Sequence, residues 1–376
     1  MIYLDNSATT YPKPKSVIDS FNKTFYNFGA NAGRGFYEMA IKTTEQIFNT
    51  RKKVCNFFGC DSPEKVIFTY NCTMALNMAI KGVARKGGHF IISDLEHNSV
   101  LRTVEKLKTD GICDYSIAKI DNNDSKTIQN FSECIRKNTI AIICTGASNV
   151  FGIITPYNEL AKLAHKNNIL FILDAAQIAG VLPICIENNG IDILCCAGHK
   201  GLYGPTGTGI MIINNDTLMN TIIEGGTGSN SMSVQQPDII PDRFESGTPN
   251  VQGIIALGKG VDFVNSIGVE RIYKHEKKMT EYLCKELNKI SKIELYASNR
   301  KSAPILSFNL KNMHSEEVAQ RLSAYNIAVR AGLHCAPLAH QKMKTQESGT
   351  VRISPSVFTQ KKDIDFLIKC VRKIAK

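Results

Sequence analysis

Two polar residues, His199 and Lys200, interrupt the apolar and glycine-rich stretch CCAGHKGLYGPTGTG near the middle of the chain. Asp174 stands upstream in the motif DAAQ, and His97 stands in EHNS. A lysine amine can bond to an aldehyde, a carboxylate can pair with a ring nitrogen, and a flat imidazole can stack on a ring. Together these residue types predict a site for pyridoxal phosphate.

The phosphate of such a cofactor needs N–H groups and hydroxyls, which the N-terminus of a helix supplies. The stretch NCTMALN is a polar turn that enters a helical pattern with Thr73 at its start, so we predict phosphate binding there. The glycines after Lys200 are the other candidate, but no helical pattern follows Gly207 and Gly209. We therefore interpret those glycines as turn residues.

Short apolar runs alternate with amphipathic helical patterns between about residues 60 and 215. They are rich in β-branched residues and apolar on both faces, as buried parallel strands are. The runs lie at 65–69, 89–93, 140–145, 169–174 and 192–197. The clearest helix is 156–167, with Thr155 as candidate cap and Pro156 in the first turn. The alternation predicts an α/β sheet with helices on both faces, and ligands in such sheets bind at the carboxyl ends of the strands.

The pattern changes after about residue 260. A long amphipathic helix at 269–290, a strand at 304–310 and a closing helix at 361–375 predict a smaller α+β domain. We divide the chain into an N-terminal segment, a large cofactor-binding domain and a small C-terminal domain, with the segment joining the small domain. The boundaries are 1–15, 16–258 and 259–376.

The composition excludes several classes of function. The formal net charge is +11, but the basic residues are scattered, so no nucleic-acid partner is expected. No apolar run is long enough to span a membrane, and the opening MIYLDNSATT does not resemble a secretory leader. The twelve cysteines lack paired CxxC spacing, so no metal site is predicted. Many reduced cysteines point to the cytoplasm.

A series of motifs occurs in the order YLDNSATT, NAGRG, EHNS, SNVFG, DAAQ, AGHKGLYGPTG, RFESGTPN and RAGLHCAPL. Over essentially the whole chain they resemble the class V aminotransferase family, specifically its cysteine desulfurases and selenocysteine lyases with a short catalytic loop. The resemblance implies the type I fold of pyridoxal phosphate-dependent transferases, with a mostly parallel seven-stranded sheet in the large domain and a smaller α+β C-terminal domain. It also implies a homodimer.

The resemblance implies a role for each motif residue. Lys200 would bond to the cofactor, Asp174 and Gln177 would contact its ring nitrogen and ring oxygen, and His97 would stack on the ring and act in catalysis. The implied phosphate contacts are Cys72, Thr73, His199 and, from the other subunit, Thr248. The implied substrate contacts are Asn149, Arg352 as a bidentate fork for the carboxylate, and Arg34 at the site mouth across the dimer.

Cys335, in RAGLHCAPL, is the implied nucleophile that takes sulfur from the substrate and becomes a persulfide. Such a thiol needs a lowered pKa and an accessible loop, and we expect Arg330 and His334 to favour the thiolate. Gly332, Pro337 and the lack of a regular pattern predict a mobile loop.

The implied reaction converts L-cysteine to L-alanine, with Lys200 moving the α-proton. A selenocysteine lyase, another pyridoxal phosphate-dependent aminotransferase or β-lyase, and a non-catalytic binding module remain alternatives. A short loop cannot swing far, so a sulfur-accepting shuttle protein is a candidate partner. Two positions depart from the family: Ala197 replaces the usual serine, and Cys72-Thr73-Met74 replaces the usual Thr-Glu run.

Overall fold

The computed structural model describes residues 1–33, 35–214, 219–229 and 232–376. Strands and helices alternate through the first two thirds of the chain. The strands are β1 (Ile2–Tyr3), β2 (Val66–Thr69), β3 (Gly88–Ser93), β4 (Cys113–Ala118), β5 (Thr139–Thr145), β6 (Leu170–Asp174), β7 (Ile193–Ala197), β8 (Gly209–Ile213), β9 (Ile293–Tyr296), β10 (Leu306–Leu310), β11 (Ile327–Ala328), β12 (Arg330–Gly332) and β13 (Thr350–Ile353). The α-helices are α1 (Lys15–Asn27), α2 (Glu38–Phe58), α3 (Cys72–Val83), α4 (Asn98–Thr109), α5 (Asp124–Glu133), α6 (Tyr157–Lys166), α7 (Ile186–Asn189), α8 (Val251–Ile267), α9 (Val269–Leu287), α10 (Ser315–Ala324), α11 (Pro337–Met343) and α12 (Lys361–Ile374).

The predicted seven-stranded, mostly parallel sheet is confirmed. Its order is β2-β8-β7-β6-β5-β3-β4, and within it β8 alone runs antiparallel to its neighbours. Five of its strands are the predicted apolar runs, whereas β4 and β8 were not predicted as strands. Because β2, β3, β5, β6 and β7 run in the same direction, their carboxyl ends lie together along one end of the sheet.

Each face of this sheet packs against its own apolar cluster, as strands buried on both sides require. Ile91, Leu173 and Leu194 point into the cluster that α2, α5, α6 and α8 cover. The neighbouring strand residues Phe90 and Ile172 point to the opposite face, which α3 and α4 cover. Burying one such side chain contributes roughly 1.5–3 kcal/mol to the free energy of folding. The two clusters therefore stabilise the strands whose carboxyl ends carry the polar residues.

The C-terminal third forms the predicted α+β unit. An antiparallel sheet with the order β12-β13-β10-β9 packs against α9, α10 and α12. Strand β1 pairs in parallel with β11, and Leu4 lies in the same apolar cluster, so the first residues of the chain contact this unit. The domain boundaries stay a prediction; α8 runs through the one placed at residue 258.

Two local predictions were wrong. Thr155 does not cap α6, because its hydroxyl donates to the Thr145 carbonyl at 2.7 Å and Pro156 occupies the N-cap position. The long helix ends at Leu287, so Ile290 lies beyond it, although it still packs against the apolar cluster of the C-terminal unit.

Candidate active site

Most of the residues predicted for the site line one cavity at the carboxyl ends of the parallel strands. Those that line it are Cys72, Thr73, His97, Asn149, Asp174, Gln177, His199 and Lys200. They come from the segments that follow β2, β3, β5, β6 and β7. The arrangement follows from topology, since parallel strands bring their carboxyl ends to one crevice.

Asp174 and Lys200 form the charged centre of this cavity. Asp174 ends β6 with 3% of its surface exposed, and its Oδ1 accepts from the backbone N–H of Ala176 at 2.9 Å and from the Cys72 thiol at 3.7 Å. Burial raises the pKa of Asp174, while the Ala176 N–H and the Lys200 charge oppose the rise. Burial likewise lowers the pKa of Lys200, which favours the neutral amine that can act as a nucleophile.

His97 is held rigidly at the entrance to α4. It is the N-cap residue, and its Nδ1 accepts from the Ser99 N–H at 3.0 Å and lies 2.8 Å from the Ser99 hydroxyl. Burial, followed by the Lys200 charge, lowers its pKa to about 4. The ring is therefore neutral at pH 7 and oriented by its own helix.

The N-terminus of α3 offers the predicted phosphate position. Asn71 caps the helix, and its side chain accepts from the Met74 N–H at 2.9 Å. Across the cavity, Nδ1 of His199 is buried without a hydrogen-bond partner. Burial lowers the His199 pKa to about 4, so this nitrogen belongs to a neutral ring. An unpartnered buried nitrogen opposite a helix N-terminus fits a phosphate group.

One interpretation of the glycines was wrong. Gly207 has a φ of 75°, as a turn residue can have, but Gly209 begins strand β8. A Cβ on Gly209 would lie 2.4 Å from the carbonyl carbon of Asn71. Its missing side chain lets β8 approach the N-terminus of α3, so this glycine supports the phosphate position indirectly.

Arg352, predicted to bind the substrate carboxylate with two N–H groups, already donates hydrogen bonds to two groups of the protein. Its side chain is 1% exposed; Nη1 donates to the Asn149 carbonyl at 2.8 Å, and Nη2 donates to Oδ1 of Asp5 at 2.6 Å. Its Nε is buried without a partner. Asn149 donates from Nδ2 to the His334 carbonyl at 2.7 Å, and its Oδ1 is unpartnered. These two predicted substrate residues thus contact each other and the segment that carries Cys335.

Cys335 is the only exposed cysteine of the twelve, all of which lie in the described part of the chain as free thiols. Its sulfur lies 3.6 Å from Nη2 of Arg330, and its carbonyl accepts from the Asn98 N–H at 2.8 Å. Cys335 lies in a loop, as predicted, whereas the mobility of that loop stays a prediction. Strand β12 ends at Gly332 and α11 begins at Pro337, which leaves a short connection.

His334 does not supply the positive charge expected beside the thiol. Burial, followed by the Arg352 charge, lowers its pKa to about 2. Its ring stacks on that of His340 with a centroid distance of 5.8 Å. The neutral ring leaves Arg330 as the cation that contacts Cys335.

Among the predicted site residues that the structure describes, Arg352, Cys335 and Thr248 do not line this cavity. Thr248 is exposed, accepts from Nδ2 of Asn31 at 3.4 Å, and lines a different cavity with Thr69 and Thr208. Arg34 lies outside the described residues.

Two polar residues of the site received no role from the sequence: Asp5, and Glu96, which stands beside His97 in the polar stretch after a predicted strand. Asp5 precedes its partner Arg352 by most of the chain, and no local pattern reveals the pair. Glu96 stands beside His97, fully buried, and accepts from the Thr145 N–H at 2.8 Å, which links the ends of β3 and β5. Burial raises its pKa to about 8. The sequence signal for Glu96 was its position in the polar stretch three residues after an apolar strand.

The lysine–aspartate pair at the strand ends of this α/β architecture defines a class: the type I fold of pyridoxal phosphate-dependent transferases. Within that class, the chain belongs to the aminotransferase class-V family, whose model matches residues 2–367.

The chain is similar to several proteins that are named as cysteine desulfurases. The chain is 33% identical to a probable cysteine desulfurase of Methanothermobacter thermautotrophicus, over 100% of this chain and 94% of the relative. It is 32% identical to a probable cysteine desulfurase of Borreliella burgdorferi, over 100% and 92%. The apo structure of the cysteine desulfurase from Thermococcus onnurineus superposes with a TM-score of 0.92 at 29% identity, over 100% of this chain and 94% of that one.

Within the described residues, the structure has neither a candidate membrane-spanning helix nor a candidate metal site. No helix in them has the length and apolar character needed to cross a membrane. The same residues include no group of three or more histidine, cysteine, aspartate or glutamate side chains placed to hold a metal ion.

Proposed function

We propose that the protein is a pyridoxal phosphate-dependent cysteine desulfurase that converts L-cysteine to L-alanine and receives the sulfur on Cys335 as a persulfide. The observation that carries the proposal is the position of Cys335. The single exposed thiol stands beside Arg330, on a connection whose His334 carbonyl binds Asn149 of the lysine–aspartate cavity. The names of the relatives agree with this activity.

The residues present fit the cofactor. Asp174 would hold the ring nitrogen, Gln177 would contact the ring oxygen, His97 would cover the ring face and Lys200 would hold the aldehyde carbon. The N–H groups of Cys72 and Thr73 at the start of α3, together with His199, would hold the phosphate. When bound, pyridoxal phosphate supplies the electron sink that acidifies the substrate α-proton.

The side chains of the chain account for the remaining chemistry. Arg352 and Asn149 bind the substrate carboxylate, and the neutral amine of Lys200 accepts and returns the proton at the substrate α-carbon. The Cys335 thiolate attacks the substrate sulfur, so a sulfur–sulfur bond forms and the carbon–sulfur bond breaks. The electron pair of the broken bond stays with the β-carbon, which takes a proton to become the methyl group of alanine.

The active unit proposed is a homodimer. Thr248 is exposed and lies in a separate cavity, a position suited to reaching the phosphate of a second subunit. The proposal includes Arg34 at the mouth of the partner's site. A location in the cytoplasm and a sulfur-accepting shuttle protein belong to the same proposal, since the short connection from Gly332 to Pro337 leaves Cys335 little reach.

The test is a product assay on the holoenzyme with L-cysteine and a reductant. We expect alanine and sulfide from the wild type, and a fall in both of about a hundredfold or more in Cys335→Ala, because the nucleophile is lost. Cys284→Ala removes a partly buried thiol from α9 and serves as the matched control that keeps activity. Full activity of Cys335→Ala on L-cysteine would refute the persulfide step.

L-selenocysteine in the same assay separates the alternative lyase. The weaker carbon–selenium bond can break without a thiol nucleophile, so a selenocysteine lyase would show a higher kcat/KM on selenocysteine and keep it in Cys335→Ala. Accumulation of pyruvate or another keto acid in place of alanine would identify an aminotransferase or β-lyase.

A further inference from the structure

We propose that Asp5 is a positioning residue for the substrate carboxylate: it fixes the Arg352 guanidinium so that the Nε–H stays available as the donor that the carboxylate takes. The inference rests on the cysteine desulfurase function proposed above and adds a residue to its substrate subsite.

The hydrogen bonds of the Arg352 guanidinium leave its Nε without a partner in the protein. Nη1 donates to the Asn149 carbonyl at 2.8 Å and Nη2 to Oδ1 of Asp5 at 2.6 Å, while Nε has no partner. An unpartnered donor on a charged group costs roughly 1–3 kcal/mol when buried, and the Arg352 side chain is 1% exposed. A carboxylate binds arginine through two adjacent N–H groups, and pairing with Nε would satisfy the donor that the protein leaves free.

Asp5 is anchored well enough to act as a fixed point. Strand β1 ends two residues before it and pairs with β11, and Asp5 itself forms a bridge to Ser354. Arg352 lies on β13, which pairs with β12 on one side and with β10 on the other. The two charged side chains therefore meet between strands that are each held by backbone hydrogen bonds, so the orientation of the guanidinium is set by the fold.

The charge balance supports the same role. Asp5 is the carboxylate that forms an ion pair with Arg352 among the described residues, and 20% of its side chain remains exposed. A buried guanidinium without a counter-charge is strongly disfavoured. Asp5 therefore supplies the counter-charge that holds Arg352 in place before the substrate arrives. The exposed side of the Asp5 carboxylate can be solvated when the substrate carboxylate binds beside it.

The network extends to the catalytic connection. The backbone carbonyl of Asn149 accepts from Arg352, and its side chain donates to the carbonyl of His334, the residue before Cys335. Asn149 is itself a proposed carboxylate contact, so a guanidinium that loses its orientation would disturb both contacts to the carboxylate.

Two variants separate orientation from size. Asp5→Asn keeps an oxygen acceptor at the same position, whereas Asp5→Leu keeps the volume and removes the acceptor. In the holoenzyme we expect Asp5→Leu to raise KM for L-cysteine about tenfold, the effect of ~1.4 kcal/mol, with kcat within about threefold of the wild type. Asp5→Asn keeps the acceptor but loses the counter-charge, so we expect a smaller rise in KM than in Asp5→Leu, of no more than about threefold. If Asp5→Leu does not fold, Asp5→Ser, whose hydroxyl is too short to reach Arg352, replaces it.

A binding measurement tests the inference without turnover. L-alanine and ethylamine are titrated into the holoenzyme, and the change in cofactor absorbance gives the dissociation constants. We expect Asp5→Leu to weaken L-alanine about tenfold and to leave ethylamine unchanged, since ethylamine lacks a carboxylate. If cysteine is not the substrate, alanine production fails while this binding difference remains.

The matched control is Asp192→Asn. Asp192 is a buried carboxylate 2.9 Å from His165 and directly precedes β7, at the end of the strand away from the cavity, so its loss lowers the melting temperature without changing the dissociation constant of L-alanine. The inference is overturned by any of four results. These are an unchanged or lower KM in Asp5→Leu, equal weakening of L-alanine and ethylamine, a loss in Asp5→Asn as large as that in Asp5→Leu, and a wild type that binds both ligands equally.

Discussion

Ala197 ends β7 within the cavity, at the position where the resemblance described above implies a serine. Its side chain is 2% exposed and lines the same cavity as His199 and Lys200. We expect Ala197→Ser to lower the dissociation constant of pyridoxal phosphate about tenfold, because a hydrogen bond to a charged phosphate contributes roughly 1.5 kcal/mol. Titration of the cofactor into the apoprotein measures the change. Unchanged or weaker binding would contradict the prediction, and a melting curve of the apoprotein controls for a general gain in stability.

The residues of the site differ in how visible they are in the sequence. Asp174 and Lys200 could be predicted because each follows a strand that its own apolar run reveals. The contact between Asp5 and Arg352 could not be predicted, because it joins two distant segments whose pairing only the folded chain decides. The neutral state of His334 was missed for the same reason, since its burial depends on packing that no local pattern describes.

At the scale of elements, glycines around the site permit close contacts between backbones. Gly201 follows Lys200, and a Cβ there would lie 2.3 Å from the Ala179 carbonyl oxygen. We expect Gly201→Ala to lower the free energy of unfolding by about 1–3 kcal/mol and to reduce cofactor occupancy, because the backbone at Lys200 must move. Chemical denaturation and cofactor absorbance measure the two effects.

Gly111→Ala provides the comparison for that variant. Gly111 has a φ of 68°, and no neighbouring atom lies within 4 Å of the position that a Cβ would take there. Its substitution carries backbone strain, with a cost of about 1 kcal/mol, but leaves the cofactor site untouched. Equal cofactor occupancy in the two variants would show that Gly201 has no special role beside Lys200.

The elements found from sequence share a physical property. The five predicted strands are buried on both faces and read as continuous apolar runs. Strand β4 lies at the sheet edge and carries Asp114 and Ser116, so its composition hides it. Strand β12 is three residues long and depends on its pairing with β13, so the sequence does not show that this strand continues to Gly332.

At the scale of the whole molecule, buried carboxyl groups make stability depend on pH. Glu276 on α9 is 4% exposed and accepts from the Tyr203 hydroxyl at 3.3 Å, and burial raises its pKa from 4.5 to about 8. Glu96 behaves in the same way. The folded state then binds more protons than the unfolded state, so stability falls as the pH rises through this range. The buried histidines act in the opposite direction, but only below their ordinary pKa of 6.5.

We therefore expect the melting temperature to fall between pH 6.5 and pH 8, the interval above the ordinary histidine pKa in which Glu96 and Glu276 titrate. Glu276→Gln should reduce the slope, since the amide carries no titrating proton. Melting curves at constant cofactor occupancy measure the effect. A variant slope equal to that of the wild type would contradict the assignment.

The pairing of β1 with β11 also orders events in time. Ile2 and Tyr3 are synthesised more than three hundred residues before their partners Ile327 and Ala328, and Arg352 and Ser354 emerge later still. Contacts between such distant segments form late, because a long loop must close first. A nascent chain can assemble much of the large sheet while its first residues remain unpaired. The contact between Asp5 and Arg352 therefore forms only after the segment up to β13 has left the ribosome.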